Sequence, residues 1–348
     1  MANGKELFCN ALKGIKGERV PMAILDGYTW MLRRADLSYR DLMDMEPQAA
    51  ADLIYDGYND LESDLVHPNA HLTYLIFEAM GGTVDYSRTG EAVELKTAPL
   101  NDPTDILSFD ADEVWRKVQA RPEFVQAMET TRLLAEKANG TKALAALSFA
   151  PFTVAAMLIG VQRYMEALFD EEDGMEALEA FALDMVTRFV QAHVNVGAEF
   201  AFICDPVASG DLISPAIFEA QALPSIQKIV ANFNAQQVPV LLHICGNTEK
   251  RLAPLCGSGI AAFSLDSVNL RTALDTARGD YAIMGNMSPA SIMLQMQPDE
   301  VEAHCRGLLV EAAHDAHFIM MPGCDLGPAT PLANVQAMAR AVHSTTNR

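Results

Sequence analysis

The sequence predicts an α/β fold: a single (β/α)8 TIM barrel with an N-terminal helical extension and a small inserted hairpin. Three observations predict it. Eight short apolar runs, rich in β-branched residues, alternate with longer stretches of helical period. Helix-start signals in which a hydroxyl residue precedes proline stand a few residues after such runs, at Ser214-Pro215, Ser288-Pro289 and Thr330-Pro331. Neither a Gly-x-Gly-x-x-Gly nor a P-loop is present, which removes support for the nucleotide-binding form of the open α/β sheet.

In chain order, residues 1–19 read as an amphipathic helix (Leu7, Leu12, Ile15) acting as a lid or plug ahead of the first strand. The predicted strands are Val20–Leu25, Asp64–His67, Ala143–Phe149, Phe200–Cys204, Val238–His243, Ala261–Leu265, Tyr281–Gly285 and Phe318–Met321. Between the second and third, residues 82–100 alternate apolar and polar positions (Val84, Tyr86; Val93, Leu95) and predict the hairpin. Eight parallel strands, each leading into a helix, close most naturally as a barrel. No linker, low-complexity tract or long repeat interrupts the 348 residues, so 1–348 is expected to be one barrel domain.

Composition narrows the function. A formal net charge of -21 excludes phosphate-backbone binding, which needs clustered Lys and Arg. There is no secretory signal, and no apolar run reaches the length that spans a bilayer, so a cytoplasmic protein is expected, with neither nucleic acid nor membrane as partner. In that setting six scattered cysteines read as buried thiols or metal ligands rather than as a disulfide framework. Eighteen methionines read as core fillers.

Barrel chemistry sits at the C-terminal ends of strands. Those ends carry Asp26, His67, Asp205, His243 with Cys245, Asp266, Asn286, and Cys324 with Asp325. In His243-Ile244-Cys245, residues i and i+2 of a strand share a face, so both side chains aim at one point. Cys324, at the end of the last strand, reaches the same point across the mouth of a closed barrel. One imidazole and two thiolates suit zinc, and three protein ligands with an open position are the composition of a catalytic site. The bland alternative is a core histidine and buried thiols that happen to fall at strand ends. Asp266 is expected as a fourth, displaceable ligand, or else as a helix cap, and Asp205 as a catalytic residue or a turn former. Asn286 is expected to touch a cofactor. Cys9, Cys204, Cys256 and Cys305 read as structural. His304 diverges from its neighbour Cys305 on a helix, while His314 and His317 precede the last strand at the wrong end of the barrel.

The strand ends also resemble a known family. Asp205-Pro206-Val207-Ala208-Ser209 with Leu212-Ile213-Ser214-Pro215, Leu242-His243-Ile244-Cys245-Gly246, Gly285-Asn286-Met287-Ser288-Pro289, and Pro322-Gly323-Cys324 with Thr330-Pro331-Leu332 resemble the uroporphyrinogen decarboxylase superfamily. Within it they are most similar to the zinc-dependent corrinoid methyltransferases that act on coenzyme M. The resemblance covers the C-terminal barrel units; the N-terminal half matches only in length and pattern. It implies zinc on His243, Cys245 and Cys324, with Asp266 standing where a glutamate is expected as fourth ligand. It further implies a corrinoid protein as partner and transfer of methyl from methylcobalamin to a small thiol such as coenzyme M. The alternative within the family is a first-stage enzyme that demethylates a methoxylated or methylamine-type donor onto Co(I), for which Tyr28, Trp30 and Phe149 near the mouth would suit an aromatic ring. Decarboxylation of uroporphyrinogen fits poorly, because the first strand lacks the arginine-rich loop that activity needs. A metal-binding protein without turnover is the remaining class.

Overall fold

The computed structural model describes residues 2–68, 72–312 and 315–344; His314 lies outside them. Among the described residues nine strands form: β1 (Leu65–Val66), β2 (Thr83–Asp85), β3 (Glu94–Thr97), β4 (Ala143–Phe149), β5 (Phe200–Cys204), β6 (Val240–Ile244), β7 (Ala262–Leu265), β8 (Ala282–Met287) and β9 (Phe318–Pro322). Seven of them make one sheet in the order β1-β4-β5-β6-β7-β8-β9, every pairing parallel, with helices in the connections. β2 and β3 are the expected hairpin, paired antiparallel with a register irregularity at Thr83/Val84.

The predicted first strand is the main departure. Residues 20–25 run extended between the sheet edges but make no regular ladder; Met22 forms a single parallel bridge to Met320 of β9. Pro21 has no N–H to donate, and side chains take over part of the ladder's role. The Asp64 carboxylate accepts the Met22 N–H at 2.8 Å and the Ser63 hydroxyl accepts that of Ile24 at 3.2 Å. Because Ala23 N–H donates to Met320 O (2.9 Å) and Asp64 N–H to Met22 O (2.7 Å), this stave still joins β9 to β1 and closes the barrel. A proline also trims β6: the strand begins at Val240 rather than Val238, after Pro239.

Strand parity decides what lines the barrel. Leu65, Ala143, Ala145, Leu147, Phe200, Phe202, Leu241, Ala262, Ala282, Met284, Ile319 and Met321 form the interior cluster, while alternate residues such as Ala146, Ile203, Leu242 and Phe263 belong to the core shared with the helices. The helix Gly4–Leu12, capped reciprocally by Asn3 and Glu6, plugs the N-terminal end of the barrel. Its Phe8 is fully buried in the interior cluster and meets Phe200 edge-on at 5.6 Å. With the bottom filled, ligand access is from the other end.

Two of the three Ser/Thr-Pro signals act as read. Ser214 accepts the Ile217 N–H and Ser288 that of Ser291, each at 3.2 Å. At the third, the helix Leu332–His343 starts one residue later than expected, with Pro331 at the cap, and the Thr330 carbonyl instead receives the Trp30 indole N–H at 2.8 Å.

Candidate metal and substrate site

At the C-terminal mouth a cavity of about 200 Å³ is lined by His243, Cys245, Cys324 and Cys204, by the carboxylates Asp26 and Asp325, and by the apolar walls Leu25, Leu147 and Phe149. They come from the stave before Asp26, from β4, β5 and β6 and from the loop after β9, so only closure assembles them. His243 follows Leu241 on the inward face of β6 and is 3% exposed. Its partner is Ser264, directly opposite on β7, whose hydroxyl lies 2.9 Å from Nδ1. In the tautomer in which Nδ1 donates to that serine, Nε2 presents a bare lone pair, and this buried atom has no protein partner. Burial depresses the imidazole pKa to about 4, so the ring is neutral, as a metal ligand must be.

The sulfurs are in the opposite condition. Burial pushes the Cys324 thiol up to about 12, with the neighbouring Cys245 adding to the shift, and burial raises Cys245 as well. Cys204 is raised well above its ordinary value, first by burial and then by Cys324. Left alone these thiols stay protonated; a cation among them would stabilise the thiolates and expel the protons. Cys204, expected to be structural, therefore shares the cavity with the two predicted ligands. Its position is explained by register, since it is the β5 partner of His243.

Asp266 sits just beyond β7 between the two cysteine loops. Its Oδ2 accepts the Gly246 N–H at 3.2 Å, and its side chain packs so closely on Gly323 that a Cβ there would lie 2.8 Å from Oδ1. Burial raises its pKa. The carboxylate thus touches the backbone after Cys245 and before Cys324 but does not line the cavity. The helix cap suggested for it is supplied by Asn269, whose side chain accepts the Thr272 N–H at 2.9 Å.

Two other expectations change. Asp205 falls on the outward parity of β5, fully buried against the helix Pro151–Ile159, where the Thr153 hydroxyl donates to its Oδ1 at 2.6 Å. Burial raises its pKa to about 7. It anchors the loop behind the cavity and does not line it, so its geometry is that of a positioning residue. Asn286, expected to touch a cofactor, spends its amide on the chain: Nδ2 donates to the carbonyls of Asp266, at 3.0 Å, and Val268. Both side chains satisfy local backbone or hydroxyl groups, a demand that strand position alone does not reveal.

Of the aromatic residues, Phe149 lines the cavity, whereas Tyr28 is buried with its hydroxyl on the His67 carbonyl (2.8 Å) and Trp30 is held by Thr330. His67 is buried too, its Nδ1 3.1 Å from the Ala145 carbonyl. Cys256, expected to be structural, is exposed.

Beneath the loop that follows β5, a buried arginine acts as a clamp. Arg251 is 1% exposed; its guanidinium donates to the carbonyls of Ala208 (3.3 Å), Ser209 (3.4 Å) and Ile213 (2.6 Å) and lies over the Phe218 ring. The clamped loop presents Pro206 to the cavity and uses the Ser209 hydroxyl to hold the Cys245 carbonyl at 2.9 Å. Nothing in the local sequence marks Arg251; its signal is burial of a cation whose hydrogen bonds, among the described residues, go to backbone carbonyls.

Among the described residues, no group of three His, Cys, Asp or Glu side chains is drawn together tightly enough to hold an ion as it stands. The donor set nevertheless fits a zinc ion in kind: an unpartnered, neutral imidazole nitrogen and two inward thiols share one cavity.

Residues 3–345 match the family described as Uroporphyrinogen decarboxylase (URO-D). The chain belongs to that family. Within it, this URO-D member is 33% identical over 213 residues to a methylcobamide:CoM methyltransferase, MtbA, of Methanosarcina mazei, a match that spans 61% of each chain. It is 27% identical over 267 residues to MtaA, a methylcobamide:CoM methyltransferase of Methanosarcina barkeri, covering 76% of this chain and 75% of that one. Its fold is that of a methyltransferase from Methanosarcina mazei, with a TM-score of 0.86 over 99% of both chains at 23% identity.

Proposed function

We propose that this URO-D family member is a zinc-dependent methyltransferase that works with a corrinoid protein and moves a methyl group from methylcobalamin to a small thiol. The observation that carries the reading is the buried, unpartnered Nε2 of His243 in one cavity with Cys245 and Cys324. The similarity to the methylcobamide:CoM methyltransferases MtbA and MtaA supports the reaction class. His243, Cys245 and Cys324 would hold the ion, and Asp266 stands close enough to both cysteine loops to serve as an exchangeable fourth ligand. When bound, zinc supplies the Lewis acidity that keeps a substrate thiol ionised near neutral pH.

The protein's own residues set the conditions for that chemistry. Ser264 fixes the His243 ring, while Leu147 and Phe149 give the cavity apolar walls that exclude water from the nucleophile. Thr153 and Asp205 brace the loop that bears Pro206. Six free cysteines accord with the reducing, cytoplasmic setting we propose.

The test is an assay with zinc-loaded protein and free methylcobalamin, followed by the cofactor's visible spectrum. Demethylation only when a thiol is added is the expected result. Methylation of Co(I) cobalamin by a methoxylated or methylamine donor, without thiol-dependent demethylation, would overturn the direction of transfer. Asp266→Asn is expected to keep most of its zinc, because three ligands remain and an amide oxygen can still accept the Gly246 N–H. Complete metal loss in that variant, measured by atomic emission, would contradict the exchangeable role.

A further inference from the structure

The order of staves around the barrel sets where the far end of a bound thiol lies. With residues 20–25 joining β9 to β1, the ring has eight members: that stave, β1, β4, β5, β6, β7, β8 and β9. The proposed ligands stand at the ends of β6 and β9, so β7 and β8 lie between them, and in a ring of eight those two face β1 and β4. At that opposite seam the cavity lining includes Thr73, which follows β1 in the chain, and Ser148, near the end of β4. Both residues are buried, and their hydroxyl oxygens lie 3.3 Å apart. Ser148 donates to the Phe149 carbonyl at 3.0 Å, so the proton between the two hydroxyls comes from Thr73, over a distance long for an O–H···O bond. Such a proton is cheaply redirected to a ligand. Thr73 also stands at the N-cap of the helix Tyr74–Ala79, yet its side chain caps nothing. The remaining hydroxyl of the lining, that of Thr29, is engaged with Asp325 and with the Tyr39 hydroxyl at 3.2 Å.

We propose that Thr73 determines specificity for the thiol: its hydroxyl, held by Ser148, binds the oxygen-bearing tail of a short thiol whose sulfur sits at His243, Cys245 and Cys324. This rests on the thiol-methylating reading above. The cavity, at about 200 Å³, is smaller than the roughly 300–1,000 Å³ of pockets for drug-sized ligands, so the thiol is short. Leu25, Leu147 and Phe149 share the lining and suit a methylene spacer. A hydroxyl donates to a sulfonate or carboxylate oxygen and either donates to or accepts from an alcohol. An alkyl tail leaves it unanswered in a buried place, so the site discriminates against thiols that carry no oxygen. Ser148 is a positioning residue, since it acts on the tail only through Thr73.

The experiment compares 2-mercaptoethanesulfonate, 2-mercaptoethanol and 1-propanethiol, which differ in the oxygen at the far end. Rates with free methylcobalamin and the zinc-loaded full chain are measured at equal thiolate concentration, and thiol affinity is read separately by calorimetry without the cobalamin. Thr73→Val keeps the shape of the side chain and removes the hydroxyl. It is expected to raise KM and Kd about tenfold for the sulfonate and about threefold for the alcohol, with kcat within about twofold, zinc content unchanged and 1-propanethiol unaffected. Thr73→Ser should recover the parent values for both oxygen-bearing thiols, and Ser148→Ala should weaken them less than Thr73→Val does. An equal loss for all three thiols in Thr73→Val, loss of its zinc, or no loss for any thiol would overturn the proposal while leaving thiol methylation intact. Failure of all three thiols to demethylate the cofactor with the parent protein would overturn both.

Discussion

Replacing Cys324 by alanine is expected to strip most of the zinc from the protein and to abolish thiol-dependent demethylation of methylcobalamin. Besides the exchangeable Asp266, two protein ligands would remain, both from the single stretch His243-Ile244-Cys245 on β6, and the ligand that crosses the mouth from β9 would be gone. Structural zinc sites bind with apparent free energies of about 10–16 kcal/mol, so loss of one thiolate in a three-ligand set removes several orders of magnitude in affinity. Metal content after gel filtration decides the matter: a full equivalent of zinc in Cys324→Ala would sink the three-ligand assignment. Cys256→Ala, at an exposed position away from the cavity, should keep both metal and activity. The same physics gives a pH dependence. Since burial pushes the free Cys324 thiol up to about 12, zinc must displace its proton across the neutral range. Affinity should therefore rise with pH and fall on acidification.

Arg251→Leu is expected to be the most destabilising single change near the site that removes no proposed ligand. The guanidinium donates to the carbonyls of Ala208, Ser209 and Ile213 in a buried setting; leucine would remove all three bonds, leaving Ala208 and Ile213 without that donor while Ser209 keeps the N–H groups of Leu212 and Ile213. An unsatisfied buried carbonyl costs about 1–3 kcal/mol, so with partial relaxation a total of roughly 3–5 kcal/mol is expected. Arg251→Lys should recover only part of it, because an ammonium lacks the planar fork that reaches several oxygens at once. The checking measurement is the urea midpoint of each variant at a common slope. A shift equivalent to less than about 1 kcal/mol in Arg251→Leu would show that the clamp is dispensable. Zinc affinity should weaken alongside stability, since the clamped loop carries Ser209, which holds the Cys245 carbonyl.

That His243, Cys245 and Cys324 share one cavity is legible in the sequence because the logic is periodic. Residues 243 and 245 must share a face, and a cysteine at the end of the last strand must reach the mouth once the barrel closes. Asp205 and Asn286 share the same strand-end address, yet they turn to Thr153 and to the Asp266–Val268 backbone. A strand end specifies where a side chain starts, and the choice between ligand and backbone partner depends on neighbours distant in sequence. Cys204 is the converse case: expected to be structural, it enters the cavity lining through its register against His243.

The α/β alternation, the inward and outward parity of each strand, the inserted hairpin and the pair of donors on β6 are written in the sequence, because they follow from local geometry and chain chirality. Tertiary structure alone decided that residues 20–25 close the barrel through side chains of Ser63 and Asp64 rather than as a regular strand, that Phe8 fills the barrel floor, and that Arg251 clamps the loop after β5. It also decided that Asp26 and Asp325, 299 positions apart in the chain, meet in the lining of one cavity. Electrostatic character is a sum over groups that folding brings together, and no local pattern carries that sum.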